Sequence, residues 1–232
     1  MKRWVITGMV AAALAVPAVA PCAEQNAMPP QMAVPIGIAR HRTGPPPPAS
    51  LVSLRGWLGS RAAAGCGVIV AANDGTIVIL TAAHDLTMRR LSVTTVDGER
   101  LRVERTEPIA GHDLALVTAT RPRLHFEVAR IAADPENGAQ LSVWGPIEDE
   151  PFTYHQAVVR PVDARASAVP PGAFAVDCPD CDHGDSGTGV FNAREELVGI
   201  VVAGYNAGRR RVFVLAERWL PDATLATTAL AP

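Results

Sequence analysis

The chain has 232 residues, 48% of them hydrophobic, with a formal net charge of −2 and no basic block. That length can bury one sizeable core or two small ones, and the near-neutral balance excludes the electrostatic footprint of a nucleic-acid or anionic-membrane partner. Aromatic residues make up only 5%, whereas 19 glycines and 20 prolines point to many turns rather than long helices.

The first twenty residues start with Lys2 and Arg3, run apolar to about Val16 and end on the small residues Ala18 and Ala20. This is the pattern of a secretory signal peptide at 1–20, with the cut between 18 and 23. Pro17 and Pro21 hold the apolar run below the ~20 residues that a spanning helix needs. No later segment is long and apolar enough to span, so the mature chain is expected to be exported, to the periplasm or the extracellular space. Export permits disulfides. The four cysteines are Cys22, Cys66, Cys178 and Cys181, and the last two form CPDC.

Residues 21–50 follow as a Pro-rich leader, with seven prolines between 28 and 50, four of them consecutive at 45–48. Such a stretch is extended and semi-rigid. A folded domain is expected at 51–222, followed by a tail at 223–232. Residues 67–86, GVIVAANDGTIVILTAAHDL, read as two β-branched strands around an Asn-Asp-Gly turn. Residues 91–107, LSVTTVDGERLRVERTE, repeat the design around Asp97-Gly98. Short runs then recur at DLALVTA, LSVWG, HQAVVRPVD, AFAVD, TGVFN, ELVGIVVAGY and RVFVLAE, and FNAREELVGI reads as another hairpin. Only residues 213–230 have helical character, so a short C-terminal helix is expected. More than ten short strands with no βαβ rhythm predict an all-β sandwich or barrel fold.

Three fragments carry chemistry: LTAAHDL with His84, GHDLALV with Asp113 and GDSGTGVF with Ser186. A serine hydroxyl is a poor nucleophile at neutral pH and needs a base to take its proton. An imidazole titrating near ~6.5 suits that cycle, and a carboxylate can hold its tautomer and stabilise the imidazolium. His112, beside Asp113, is the alternative imidazole. The glycines around Ser186 let bare backbone N–H groups approach a reacting carbonyl.

In this order the fragments closely resemble the chymotrypsin/trypsin-like serine endopeptidases, a bacterial-type, secreted member. That family carries its histidine in TAAH, its aspartate in D-(I/L)-A-L and its serine in GDSG. The spacings here are 29 and 73 residues, and the resemblance covers roughly 51–220. It implies two packed six-stranded antiparallel β-barrels, about 51–127 and 128–222. It also implies a His84–Asp113–Ser186 triad, an oxyanion hole from the N–H groups of Gly184 and Ser186, a polypeptide substrate and no cofactor or metal. The strand GIVVAGY matches the family's substrate-binding strand, which makes Val202, Ala203 and Gly204 the expected substrate edge. The family's pocket-base residue lies six before the serine, at Asp180, where a carboxylate would select Arg or Lys.

The departures from the family are specific. Asp185 pairs in the family with a new N-terminus after activation, but no IVGG-like start occurs here. The alternatives are Arg40, Arg42, another partner, or an enzyme that needs no activation cut. Asp85 stands where the family often has a cysteine after the histidine, so Cys66 lacks that partner. Cys178 and Cys181 are then a disulfide candidate, and a tight disulfide loop is the alternative that turns Asp180 outward. With His183, CPDCDH also reads as part of a zinc site, although no fourth ligand is evident nearby. His41, His125 and His155 are expected to be surface or structural residues. From another functional class, the alternative is a non-catalytic protease-fold binding module of the cell envelope. A redox module on Cys178 and Cys181 would need a βαβ context that is missing. The sequence leaves the oligomeric state open.

Overall fold

The computed structural model describes residues 44–133, 135–147, 150–161, 173–181, 184–206 and 212–217. The expected signal peptide, most of the expected leader and the expected tail lie outside the described residues. Thirteen strands follow in order: β1 (Leu51–Leu58), β2 (Arg61–Ala72), β3 (Thr76–Ala82), β4 (Arg89–Thr95), β5 (Arg100–Leu101), β6 (Val103–Pro108), β7 (Leu114–Thr120), β8 (Gln140–Ile147), β9 (Glu150–Arg160), β10 (Phe174–Asp177), β11 (Gly189–Phe191), β12 (Leu197–Asn206) and β13 (Val212–Glu217). One 3-10 turn, Ala83–Thr87, separates β3 from β4.

The strands form two antiparallel systems. The first is a seven-stranded sheet ordered β5-β4-β1-β2-β3-β7-β6, and the second is a closed six-stranded barrel ordered β10-β13-β12-β11-β8-β9. The class is the expected one, but the first half has seven strands rather than six. The stretch read as one strand after Asp97-Gly98 is divided: β5 pairs with β4, whereas β6 pairs with β7. The expected C-terminal helix is corrected over its first residues, where the run VFVLAE is a strand instead. Residues 212–217 form β13, which pairs with both β10 and β12, and the rest of that segment lies outside the described residues.

The long apolar runs are explained by burial on both faces. Successive strand residues point to opposite sides. On β2, Cys66, Val68 and Val70 pack into one cluster while Ile69 packs into another; on β3, Val78 and Leu80 alternate in the same way with Ile77 and Ile79. One cluster is internal to the first sheet, with Val52, Leu54, Ile69, Ile79 and Val117. A second is internal to the barrel, with Leu141, Val143, Val159, Val176 and Val190. A third joins the halves, bringing Leu51, Val68, Leu80 and Leu114 against Trp144, Phe191 and Ile200. Phe191 is fully buried at this junction and meets Trp144 edge-on at 5.6 Å, so truncating it to alanine should cost about 3–5 kcal/mol.

Turn chemistry is explicit. Asn73 Oδ1 accepts from the N–H groups of Gly75 and Thr76 at 2.9 and 2.7 Å and so closes β2–β3. Asn192 Oδ1 does the same for Arg194 and Glu196 between β11 and β12, at 2.9 and 3.0 Å. The segment after β7 stitches the halves together: Ala129 N–H donates to Ile69 O on β2, and Leu197 N–H on β12 donates to Arg130 O. The end of the proline leader is anchored too, because Trp144 Nε1 donates to Pro45 O at 3.3 Å.

Candidate active site

Strand register brings the first two residues together. β3 and β7 run antiparallel with Ala82 opposite Leu114. The residues just beyond that pair, His84 on the 3-10 turn and Asp113 before β7, are therefore neighbours despite a separation of 29 positions. The backbone locks the corner. Ala83 N–H donates to Asp113 O at 2.9 Å, and His84 N–H donates to Asp113 Oδ1 at 3.0 Å. The other carboxylate oxygen, Oδ2, lies 2.7 Å from His84 Nδ1. Ser186 Oγ completes the line at 2.5 Å from His84 Nε2. His84, not His112, is thus the imidazole between the carboxylate and the hydroxyl.

Ser186 sits in the turn before β11 and is held from both halves. Cys66 N–H on β2 donates to Ser186 O at 2.7 Å, and Gly187 N–H donates to Val201 O on β12 at 2.8 Å. The glycines are required here. Gly184 and Gly187 have φ of +105° and +78°, which a side chain adopts only with strain. A Cβ on Gly187 would also overlap Cys66 O and Thr81 Oγ1. Asp185 is buried against β8, and a Cβ at Gly145 would overlap its carboxylate. Arg40 and Arg42, the candidate partners of Asp185, lie outside the described residues.

Cys178 and Cys181 are joined as a disulfide, so their sulfurs are not free thiolate ligands for zinc. Asp180 is exposed on the turn that this bond closes. His183 and Asp182 lie outside the described residues. On β12, Val202 is buried while Ala203 and Gly204 are exposed. Among the described residues, pairing with β11 ends at Ile200, whereas pairing with β13 continues to Asn206. His125 is a surface group near Glu127. His155 is buried, with no partner for Nε2, and burial pushes its imidazole down while the Asp180 carboxylate pulls it up.

One site residue was missed by sequence reasoning. Asp85, on the same turn as His84, is buried, with its Oδ1 3.8 Å from His84 Nε2. Burial pushes its carboxyl from 3.8 up to about 6, against the pull of His84 and of the Thr81 and Ser186 hydroxyls. Cys66, unpaired and buried beside it, has its thiol pushed far up by burial and by the Asp185 and Asp85 charges. It is therefore a neutral thiol and not a nucleophile. The signal was present in the sequence as an acid in place of the cysteine that would have paired with Cys66.

The comparisons with known proteins agree with this fold. The active form of the Rv3671c protease of M. tuberculosis superposes with a TM-score of 0.59 at 20% identity, covering 72% of this chain and 76% of that one. The MamO protease domain from Magnetospirillum magneticum gives 0.56 at 20% identity, covering 80% and 97%. An inactivated protease paralogue of the scabies mite, SMIPP-S-I1, gives 0.58 at 18% identity, covering 72% and 88%. At these identities the likeness is one of fold, and it includes both active and inactivated proteins. No curated protein matches the chain in sequence. Residues 65–200, more than half of the chain, match the Trypsin-like peptidase domain, and the chain belongs to that family.

Proposed function

We propose that the chain is an exported serine endopeptidase that cleaves polypeptides through an acyl-enzyme. The observation that carries this reading is the continuous line Ser186 Oγ–His84 Nε2 and His84 Nδ1–Asp113 Oδ2, at 2.5 and 2.7 Å. Ser186 attacks the scissile carbonyl carbon, and His84 Nε2 takes the hydroxyl proton as the C–O bond forms. Asp113 holds Nδ1–H and stabilises the imidazolium. The N–H groups of Gly184 and Ser186 receive the oxyanion. The imidazolium then protonates the leaving amine, and water activated by the same ring hydrolyses the ester.

Among the described residues, β12 at 202–204 pairs with β13 on one side only, which supports a peptide substrate, because an extended chain can pair with the other side as an added strand. Asp180 is the candidate acceptor for an Arg or Lys side chain by its place six before Ser186 alone, since its exposure on the disulfide-closed turn is what the outward-facing alternative expects. Export to the periplasm or beyond rests on the N-terminal pattern and on the oxidised Cys178–Cys181 pair.

The test uses the purified mature chain with a fluorophosphonate probe and a peptide library. Ser186 should be labelled, and cleavage should follow Arg or Lys, a preference that Asp180→Ser erodes. An unlabelled Ser186 would instead indicate a binding module. Cleavage mainly after small, apolar or acidic residues would remove Asp180 from the specificity pocket and leave the triad standing.

A further inference from the structure

The described triad uses one carboxylate, yet the site contains a second. Asp85 Oδ1 lies 3.8 Å from His84 Nε2, the ring nitrogen that faces Ser186, and its side chain is only 7% exposed. The fold makes room for it at a cost. A Cβ on Gly65 would sit 2.6 Å from Asp85 Oδ2, and one on Gly187 would sit 2.9 Å from the same atom. Two backbone segments, one from each half, are therefore bare where this carboxylate lies. Among the described residues its side-chain donors are two hydroxyls, those of Thr81 and Ser186, and the Ser186 hydroxyl also lies against His84 Nε2. Thr81 has a single hydroxyl proton, which it shares between Cys66 O at 2.6 Å and Asp85 Oδ2 at 3.3 Å. A buried carboxylate without strong donors is costly unless a cation stands beside it.

The groups facing Asp85 can be named from each element around it. His84 is on its own turn, Asp113 precedes β7, Cys66 is on β2, and the Ser186 hydroxyl faces it from the second half. Asp185 acts on Cys66 rather than directly on Asp85. Asp113 repels a negative charge on Asp85, and the Cys66 thiol is neutral. Among the described residues, the facing group that becomes a cation is His84, and it does so at the moment Nε2 takes the serine proton.

We propose that Asp85 is a positioning residue that acts through His84: a second carboxylate, at the opposite ring nitrogen from Asp113, that stabilises the imidazolium formed when Ser186 is deprotonated. No additional bond forms or breaks, since the proton still moves from Ser186 Oγ to His84 Nε2. Asp85 supplies a negative charge near the new N–H from a side chain that is itself buried. The acid takes the place of the family's cysteine after the histidine, so a residue type that would be covalently tied to Cys66 is exchanged for one that acts electrostatically. The kinetic part of the proposal rests on the peptidase reading; the pairing with the ring does not.

The sign is fixed by the charges. An ionised Asp85 favours the protonated ring, so it raises the midpoint at which His84 titrates. Asp85→Asn keeps the shape and removes the charge. It should lower the His84 ring midpoint, read by NMR, by about one pH unit or more. The acid limb of kcat/KM should move down with it, kcat on the plateau should fall about tenfold, and KM should stay unchanged. A merely structural role would change melting without moving the ring midpoint. An unmoved midpoint in a folded Asp85→Asn variant overturns the proposal. If that variant does not fold, Thr81→Val takes its place. It removes the carboxylate's hydroxyl partner and should also lower the midpoint; an unmoved midpoint there is equally fatal. A lowered midpoint in a chain whose Ser186 never labels would support the pairing and overturn the peptidase reading.

Discussion

The two halves of the molecule are built alike and deliver their functional groups differently. Each is an antiparallel system with β-branched strands packed on both faces, and each closes a hairpin with an asparagine-capped turn. In the first half, strand register places the groups. Ala82 opposite Leu114 fixes the corner, and two backbone donors to Asp113 fix the carboxylate under the imidazole. In the second half, a turn places Ser186 through left-handed glycines, two cross-chain backbone bonds and a nearby disulfide. A side chain positioned by register survives local change as long as the pairing holds. A side chain positioned by a turn depends on the conformation of a few residues, and the sequence accordingly places its special residues there.

The sharpest test joins the halves. His84 comes from one and Ser186 from the other, yet their hydroxyl–imidazole contact makes them one device. His84→Ala and Ser186→Ala should each lower kcat by about 10⁴-fold or more, and the double variant should lose no more than the worse single one. Losses that multiplied in the double variant would mean that the two act independently. Either single variant retaining more than about a tenth of kcat would break the device outright.

Much of this was legible from the chain. The three motifs named the residues that meet, and the Asn73 turn announced its hairpin. Pairing partners were less legible. Residues 100–108 alternate like one strand, but alternation says that a segment is extended and not which neighbour it joins. Their division puts β5 on β4 and β6 on β7, at opposite ends of the strand order. The run RVFVLAE was read both among the short strands and at the start of a helix, because Leu215, Ala216 and Glu217 favour helix locally. Closing the barrel between β10 and β12 overrides that preference. Asp85 was visible only as a missing cysteine. Its burial depends on Gly65 and Gly187, which reach it from distant positions in the chain.

That buried acid gives the first half a pH signature. Its carboxyl is raised from 3.8 to about 6, chiefly by burial. Below about pH 4 it is protonated in both folded and unfolded chains; above about pH 6 it is ionised in both, and only the folded chain then bears the cost. The group therefore contributes stability at low pH that is lost as pH rises from about 4 to about 6, worth about 3 kcal/mol at most. In a Ser186→Ala background, which prevents self-cleavage, Asp85→Asn should gain in Tm relative to its parent between pH 4 and pH 7. A constant difference in Tm across that range would mean that Asp85 is not a buried ionisable group.

The second half should be the redox-sensitive one, by a smaller margin. Its disulfide closes a loop between residues only three positions apart, Cys178 and Cys181. A cross-link stabilises largely by removing freedom from the unfolded chain, and the gain grows with loop length. For so short a loop it is about 2 kcal/mol, too little to unfold a domain with three apolar clusters. Cys66 forms no disulfide, and no second disulfide occurs among the described residues, so a reductant has no such bond to act on in the described first half. A Cys178→Ser/Cys181→Ser variant should lower Tm by a few degrees, lose the Tm response to reductant and leave the His84 titration in place. What it should alter is the turn carrying Asp180, five residues before Asp185 and six before Ser186, so any Arg or Lys preference should weaken while turnover of a small ester substrate persists. Loss of ester turnover together with the peptide preference would show that the disulfide holds the Ser186 turn itself, and the second half would then rest on a covalent tie where its glycines and two backbone bonds were taken to suffice.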